Sequence, residues 1–185
     1  MNNSTPQELI QAFQLGYTQR DVTKVEAFME LFTEDAEVIG TNGQKPGVDE
    51  WYTNRDGARE LVEGDWESWG DLRLDLDTAN IHQNGDIAWM AATATVSKTI
   101  GKDNFQSYLD FIRDYMDQST LPAEQKLHYI LRGGTNTIYE LNRGENFIWV
   151  LRFTAVMVCQ AGYWKFAQMN FSFPTIYFPD VRVIE

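Results

Sequence analysis

Two strand-like runs in the segment FIWVLRFTAVMVCQAGYWKFAQMNFSFP, residues 147–174, meet at Ala161-Gly162 with almost no loop between them. Such a segment commits the chain to a long, heavily buried antiparallel hairpin, because residues this apolar and aromatic leave water together and a two-residue connection folds the second run back onto the first. Strict alternation on the return strand sends Trp164, Phe166, Gln168, Asn170 and Ser172 to one face and Lys165, Ala167, Met169, Phe171 and Phe173 to the other. The first face is oily at one end and amide-rich at the other. A wall of a small-molecule pocket has this character.

The remaining elements are read from their periodicity. Thr5-Pro6-Gln7-Glu8 combines an N-cap, a proline at the first helical position and a glutamate three residues after the cap. Leu9, Ile10, Phe13 and Tyr17 follow at helical spacing, so a first helix is expected to end near Gly16-Tyr17. Asp21 can cap a second helix, with Val22, Val25, Phe28, Met29 and Phe32 as its apolar stripe. A short strand is expected over Ala36–Thr41, a turn-rich loop over Asn42–Gly47, and a third helix from about Asp56 to Trp69. At 100° per residue, Ala58, Leu61, Val62, Trp66 and Trp69 of that helix share an arc of about 140°, and Asp65 falls inside it. Glu60, Glu63 and Glu67 lie on the opposite side. Asp65 is thus the carboxylate that periodicity aims inward.

Asp71–Gln83 and Asp86–Ile100 then read as strands joined by an Asn84-Gly85 hairpin, the first alternating Leu72, Leu74 and Leu76 with charged residues. From Gly101 to Gly144 the pattern turns helical, with Phe105, Tyr108, Leu109, Ile112 and Met116 on one face, a restart at Pro122, and Leu127, Ile130, Leu131, Ile138 and Leu141 beyond it. Strands joined mostly by tight turns make a mainly antiparallel sheet with helices on one face, an α+β fold.

Length and composition fit one domain over residues 1–185, interrupted by a helical insert at about 101–144. The N-terminus lacks the blocks of a signal peptide and no apolar run is long enough to span a membrane, so the expectation is a cytoplasmic protein with no membrane partner. Net charge is -12, and residues 21–86 carry 17 acids against 5 bases while the rest of the chain balances. Such a potential repels phosphate backbones, which argues against nucleic acid and otherwise describes a solvated acidic face. Cys159 is the sole cysteine, reads as a small core residue, and excludes an intrachain disulfide. His82 and His128 have no ligand-spaced neighbours, and phosphate-loop, nucleophile-elbow and Cys-x-x-Cys patterns are absent; no metal and no cofactor are expected.

Three stretches taken together resemble the NTF2-like superfamily and, within it, the SnoaL-like domains related to the calmodulin-dependent kinase association domain. They are Val38-Ile39-Gly40-Thr41 with Asp49-Glu50-Trp51; Gly85-Asp86-Ile87-Ala88-Trp89; and Arg152-Phe153-Thr154-Ala155-Val156 leading through Gly162 and Trp164 to Phe171-Ser172. The resemblance implies a cone-shaped NTF2-like, or cystatin-like, fold whose curved sheet packs on the N-terminal helices. It also implies a hollow for a small ligand, and an activity that ranges across the superfamily from isomerases, cyclases and dehydratases to binding and oligomerisation domains. Many relatives carry histidine at one or both positions held here by Gln168 and Asn170, and amides cannot take up a proton near neutral pH.

Asp65 then becomes the candidate catalytic base, with Tyr52 or Asn170 donating to a developing oxyanion. The alternative for Asp65 is a place at the rim, or capping a neighbouring backbone. Trp51, Trp66 and Trp89, with Gln168 and Asn170, are candidate ligand contacts, the tryptophans alternatively being plain core. Arg152, on a strand that reads as buried, needs either an acidic partner from residues 21–86 or an anionic ligand. The expected function is binding of a small apolar or mixed-polarity ligand, with cofactor-free proton transfer if the domain is an enzyme. A non-catalytic homo-oligomerisation domain is the alternative, and a homodimer is expected under both.

Overall fold

The computed structural model describes residues 4–99, 104–118, 120–128, 130–131, 134 and 146–173. They fall into two compact units, the larger lying within Met1–Val96 and Trp149–Tyr177, the smaller within Ser97–Ile148. The described residues of the expected insert belong to the smaller unit.

In the larger unit, α1 (Pro6–Gln19) opens with the expected capping box: the Glu8 amide donates to Thr5 Oγ1 at 3.1 Å and the Thr5 amide to Glu8 Oε2 at 3.2 Å. Leu9, Ile10, Phe13 and Tyr17 form its buried stripe. The helix runs past Gly16 to a left-handed Arg20, whose amide donates to Gly16 O at 2.8 Å. Gly16 is a point of close approach and not a stop, because the Phe28 ring occupies the space that a Cβ there would take. Asp21 caps only a 3-10 turn, Val22–Lys24, before the short α2 (Val25–Met29). The expected five-residue stripe therefore breaks up: Val22 is exposed and Phe32 belongs to the next strand.

Among the described residues seven strands follow: β1 (Phe32–Ile39), β2 (Trp51–Tyr52), β3 (Asp71–Leu74), β4 (Asn80–Asn84), β5 (Ile87–Thr99), β6 (Asn146–Gln160) and β7 (Tyr163–Ser172). They make one open, mostly antiparallel sheet in the order β2-β1-β7-β6-β5-β3, with β4 also on β5 and β1 parallel to β7. The expected strand Asp71–Gln83 is two pieces, because Thr78 bonds the Asp75 carboxylate through its hydroxyl (2.6 Å) and turns the chain out of the ladder between them. The β4–β5 turn is Gly85-Asp86, one residue later than expected, with Gly85 at φ 60° and Asn84 paired to Ile87.

The Ala161-Gly162 hairpin forms as expected, both turn residues having positive φ (51° and 85°), which matches the twist of the strands they join. Strict alternation along β7 does not hold. The β6–β7 register passes from Val156↔Gln168 to Met157↔Phe166, leaving Ala167 as the extra residue of a β-bulge. The bulge resets the alternation, so Trp164, Phe166, Met169 and Phe171 all face inward, and each is 4% exposed or less.

The inward face of the sheet is lined further by Leu151, Phe153, Ala155 and Met157 of β6 and Ala88, Met90, Ala92, Ala94 and Val96 of β5, all buried. Against it pack α1, α2 and α3 (Arg55–Gly64, capped by Asn54) through a nest of rings: Phe13 lies 4.7–5.7 Å from Tyr17, Phe28, Phe153 and Phe166. Each such side chain contributes roughly 1.5–3 kcal/mol by leaving water. Gln14 ties α1 to the sheet edge, accepting from the Leu74 amide at 2.7 Å and donating to Leu72 O at 2.9 Å. One side-chain amide thereby satisfies the edge of β3.

The smaller unit contains α4 (Asn104–Gln118) and a second helical stretch at 123–128, following Pro122 as expected. Tyr108, Ile112 and Met116 of α4 are partly buried, whereas Phe105 and Leu109, expected on the same face, are exposed. Within this unit the Tyr108 hydroxyl donates to Ile130 O at 2.8 Å and Lys126 Nζ to Met116 O at 2.9 Å. Ile138, Leu141 and the tail from Pro174 lie outside the described residues. No helix among the described residues is long and apolar enough to cross a membrane.

Candidate functional site

The chain from α3 continues at Asp65 into a single wide turn of π-helix, Asp65–Trp69, an irregularity that recurs at functional positions. Asp65 lies where the periodicity aimed it, turned inward and largely buried. Its Oδ2 accepts a hydrogen bond from the Tyr17 hydroxyl at 2.8 Å. Tyr17 is 1% exposed and sits among Phe13, Phe28, Trp66 and Phe171, with ring centroids 4.7–6.5 Å away. Trp69, at the end of the turn, packs edge-on against Phe171 at 5.5 Å.

Burial pushes the Asp65 carboxyl from an ordinary 3.8 up to about 7; the Tyr17 hydrogen bond opposes that rise, and the negative charge of Glu50 adds to it. Tyr17, buried beside a carboxylate, is pushed well above 10 and stays a proton-bearing donor. Tyr52 is raised as well, first by burial and then by Glu60, Glu50 and Asp65. The Glu50 carboxylate is held in place by the amide and the side-chain nitrogen of Asn42, both at 2.9 Å. The group is chemically suited to proton transfer: a carboxyl that changes charge near neutral pH, oriented by a neutral phenol, with aromatic walls.

The sheet register sorts the expected site residues onto two faces, since directly paired residues point the same way. Val38 pairs with both Tyr52 and Met169, so Tyr52 lies on the inward face with Asp65. Ile39 pairs with Trp51 and with Asn170, and Glu37 with Gln168, so Trp51, Gln168 and Asn170 share the outward face. Trp51 Nε1 there donates to Glu37 Oε1 at 2.8 Å. Gln168 and Asn170 were expected beside Trp164 and Phe166; the bulge at Ala167 puts them on the other side of the sheet.

Trp89 is 45% exposed, paired with His82 and stacked on it at 5.5 Å, while its neighbours Ala88 and Met90 point inward. Arg152 is exposed rather than buried, because the alternation of β6 buries Leu151 and Phe153 and turns Arg152 outward. Its guanidinium donates to Phe173 O at 3.1 Å. Asp65, Tyr52 and Trp66 are therefore brought to one face, and Trp51, Trp89, Arg152, Gln168 and Asn170 to the other. Cys159, expected as core, is free and half-buried, packed against the core opposite Trp164. Among the described residues, no three His, Cys, Asp or Glu side chains cluster as a metal ion requires.

Periodicity placed Tyr17 on the buried stripe of α1 but not against Asp65. The available signal was the hydroxyl itself, which on a buried tyrosine needs a partner. Glu50 had no comparable mark, because its relation to Asp65 arises only when the Gly40–Glu50 loop closes.

No curated protein matches the chain. Similar solved structures include a calcium/calmodulin-dependent protein kinase II association domain-like protein from Xanthomonas campestris, 12% identical, TM-score 0.53, covering 90% of this chain and 84% of that one. A scytalone dehydratase-like protein from Novosphingobium aromaticivorans is 14% identical, TM-score 0.52, covering 91% of this chain and 84% of that one. An NTF2-like protein with a cystatin-like fold, from the same organism, is 13% identical, TM-score 0.55, covering 95% and 82%. At these identities the likeness concerns the fold, which is the expected NTF2-like one, with an open, curved sheet. The pattern of the SnoaL-like domain family matches residues 7–113, more than half of the sequence, and the chain belongs to that family.

Proposed function

We propose that this SnoaL-like domain binds a small ligand of mixed polarity beside Asp65, on the inward face of the sheet, and moves a proton next to the ligand's carbonyl group without a cofactor. The observation that carries this reading is the hydrogen bond from buried Tyr17 to Asp65, a carboxyl whose proton leaves at about pH 7. In its ionised form Asp65 takes a proton from the carbon beside the carbonyl, the C–H electron pair passing into an enolate, and the protonated carboxyl returns that proton. Tyr52, neutral and on the same face, is the candidate donor to the enolate oxygen. The description of one similar fold as scytalone dehydratase-like agrees with acid–base chemistry of this kind.

The test is deuterium exchange. Wild-type protein incubated with 1-tetralone in D2O is expected to exchange the protons beside the carbonyl faster than buffer does, and Asp65→Asn to fall back to the buffer rate. An Asp65→Asn protein that exchanges as fast as wild type sinks the proposal.

The second reading, a non-catalytic homo-oligomerisation domain, draws on the apolar residues of the outward sheet face, where Ile87 and Trp89 are 50% and 45% exposed. One similar fold is described as a kinase association domain. Sedimentation of wild type against Trp89→Asp decides it: a dimer that the substitution dissociates supports assembly, and a monomeric wild type excludes it.

A further inference from the structure

The smaller unit contains a helix pair with an exposed apolar flank. The Tyr108 hydroxyl reaches Ile130 O and Lys126 Nζ reaches Met116 O, so partners run down one helical stretch as they run up the other, and the two are antiparallel. The second stretch is helical at 123–128 and again at 130–131. Its neighbour α4 is amphipathic, yet none of its residues from 105 to 117 is buried. Leu109 stands one residue after Tyr108, Leu127 one after Lys126 and Leu131 one after Ile130, in each case a turn of about 100° from a contact residue. In antiparallel helices the same turn away from the line of contact leads to the same side of the pair, so the three leucines share one flank. Phe105, about 60° round from Tyr108, lies on that flank as well. Phe105, Leu109, Leu127 and Leu131 are 43%, 59%, 55% and 52% exposed. Large apolar side chains gathered in water on one side of a helix pair mark an interaction surface.

The charges around the flank select its partner. Arg113 is already paired with Asp110 at 3.1 Å and Asp114 at 3.5 Å, and Lys126 Nζ caps the Met116 carbonyl in the last turn of α4 at 2.9 Å. Asp117 and Glu124 are exposed, and neither has an ion-pair partner among the described residues. Asp117 stands one residue after Met116, and Glu124 about 160° round from Lys126, so both lie on the leucine side, at the end where Met116 meets Lys126. We infer that this flank docks a basic amphipathic helix of another protein, with apolar side chains on Leu109, Leu127 and Leu131 and lysine or arginine on Asp117 and Glu124. Leu127 and Leu131 are one turn apart, and a helix laid along them meets them with residues of the same spacing. Charge argues against other occupants: a second copy brings the same two carboxylates and a net charge of -12, and an anionic lipid surface is repelled in the same way. The flank belongs to the smaller unit and Asp65 to the larger, so docking requires nothing of the proton chemistry.

The experiment uses the full chain and two synthetic peptides with leucines at the same helical spacing, one with lysine and the other with glutamate at the remaining positions. In 1H–13C spectra the methyl resonances of Leu109, Leu127 and Leu131 are expected to shift with the Leu/Lys peptide and to stay in place with the Leu/Glu peptide. The double variant Leu127→Gln, Leu131→Gln is expected to weaken binding of the Leu/Lys peptide about tenfold or more. The double variant Asp117→Asn, Glu124→Gln is expected to weaken it about three- to tenfold and to reduce its dependence on NaCl. All four positions are exposed, so the variants keep the fold, and the wild-type spectra decide even without them. No binding of the Leu/Lys peptide, shifts confined to residues away from the flank, or a leucine variant that binds as tightly as wild type overturns the proposal. Equal binding of the two peptides overturns it too, by removing the need for a basic partner. A dimer in sedimentation that the leucine variant dissociates overturns it in favour of a second copy. Binding to phosphatidylglycerol vesicles that the leucine variant loses overturns it in favour of a membrane surface.

Discussion

A carboxyl group taken out of water holds its proton until something stabilises the anion, and at Asp65 the main available group is the Tyr17 hydroxyl. The balance can be shifted from either side. Tyr17→Phe removes the hydrogen bond that lowers the Asp65 pKa, so the midpoint is expected to rise above about 7, with a loss of about 1–3 kcal/mol in stability at pH 8 and less at pH 5. Glu50→Gln removes a negative charge that raises it, so the midpoint is expected to fall. Carboxyl 13C shifts of Asp65 across pH 4–10 read both directions, and a midpoint unmoved in either variant refutes the coupling. The raised pKa also makes a stability statement. The folded protein holds the Asp65 proton more tightly than the unfolded chain, so this contribution is fully present below about pH 4 and is lost as pH rises through about 7. Asp65→Asn should therefore gain on wild type across that window, by on the order of 2–4 kcal/mol at pH 8, in urea denaturation at pH 5 and pH 8.

At the scale of the elements, one β-bulge and one close helix contact decide how the interior packs. Ala167 is one. With the bulge in place, Met169→Ala is expected to cost about 2–5 kcal/mol and Gln168→Ala no more than about 0.5. Strict alternation would reverse that order, so the same pair of denaturation curves tests the bulge. Gly16 is the other. In a helix exposed to water Gly→Ala stabilises by roughly 1 kcal/mol, but here the new methyl meets the Phe28 ring, which is 2% exposed and packed on Trp66. Gly16→Ala is expected to destabilise by about 1–3 kcal/mol, and an increase in stability would contradict the packing described. The sequence showed the apolar residues of α1 and β7 plainly, since burial leaves a period of 3.6 or 2. It made Gly16 read as the end of the helix, which in fact runs on to Gln19, and it left Ala167 silent, because a bulge is a relation between two strands and marks neither one's composition.

The whole molecule carries a net charge of -12, and the excess lies within residues 21–86, part of it met by exposed ion pairs such as Glu30 with Arg55 (3.1 Å) and Lys165 (3.5 Å). Exposed pairs are worth little each, so self-repulsion of the remaining acids should dominate the response to salt. Raising NaCl from about 10 to 200 mM shortens the screening length from about 30 Å to below about 8 Å, and Tm is expected to rise by about 2–4 °C, equivalent to ~1 kcal/mol. A fall in Tm would show that the pairs outweigh the repulsion. The amino-acid sequence by itself determined the capped first helix, the Ala161-Gly162 hairpin, the α+β class and the inward direction of Asp65, because each is written in spacings of a few residues, and its resemblance to SnoaL-like domains gave the family. Only the tertiary structure decided that Tyr17 is the partner of Asp65, and that Gln168, Asn170, Trp51, Trp89 and Arg152 stand on the far side of the sheet from it. Those relations join residues dozens of positions apart through strand register and ring packing, which local spacing does not encode.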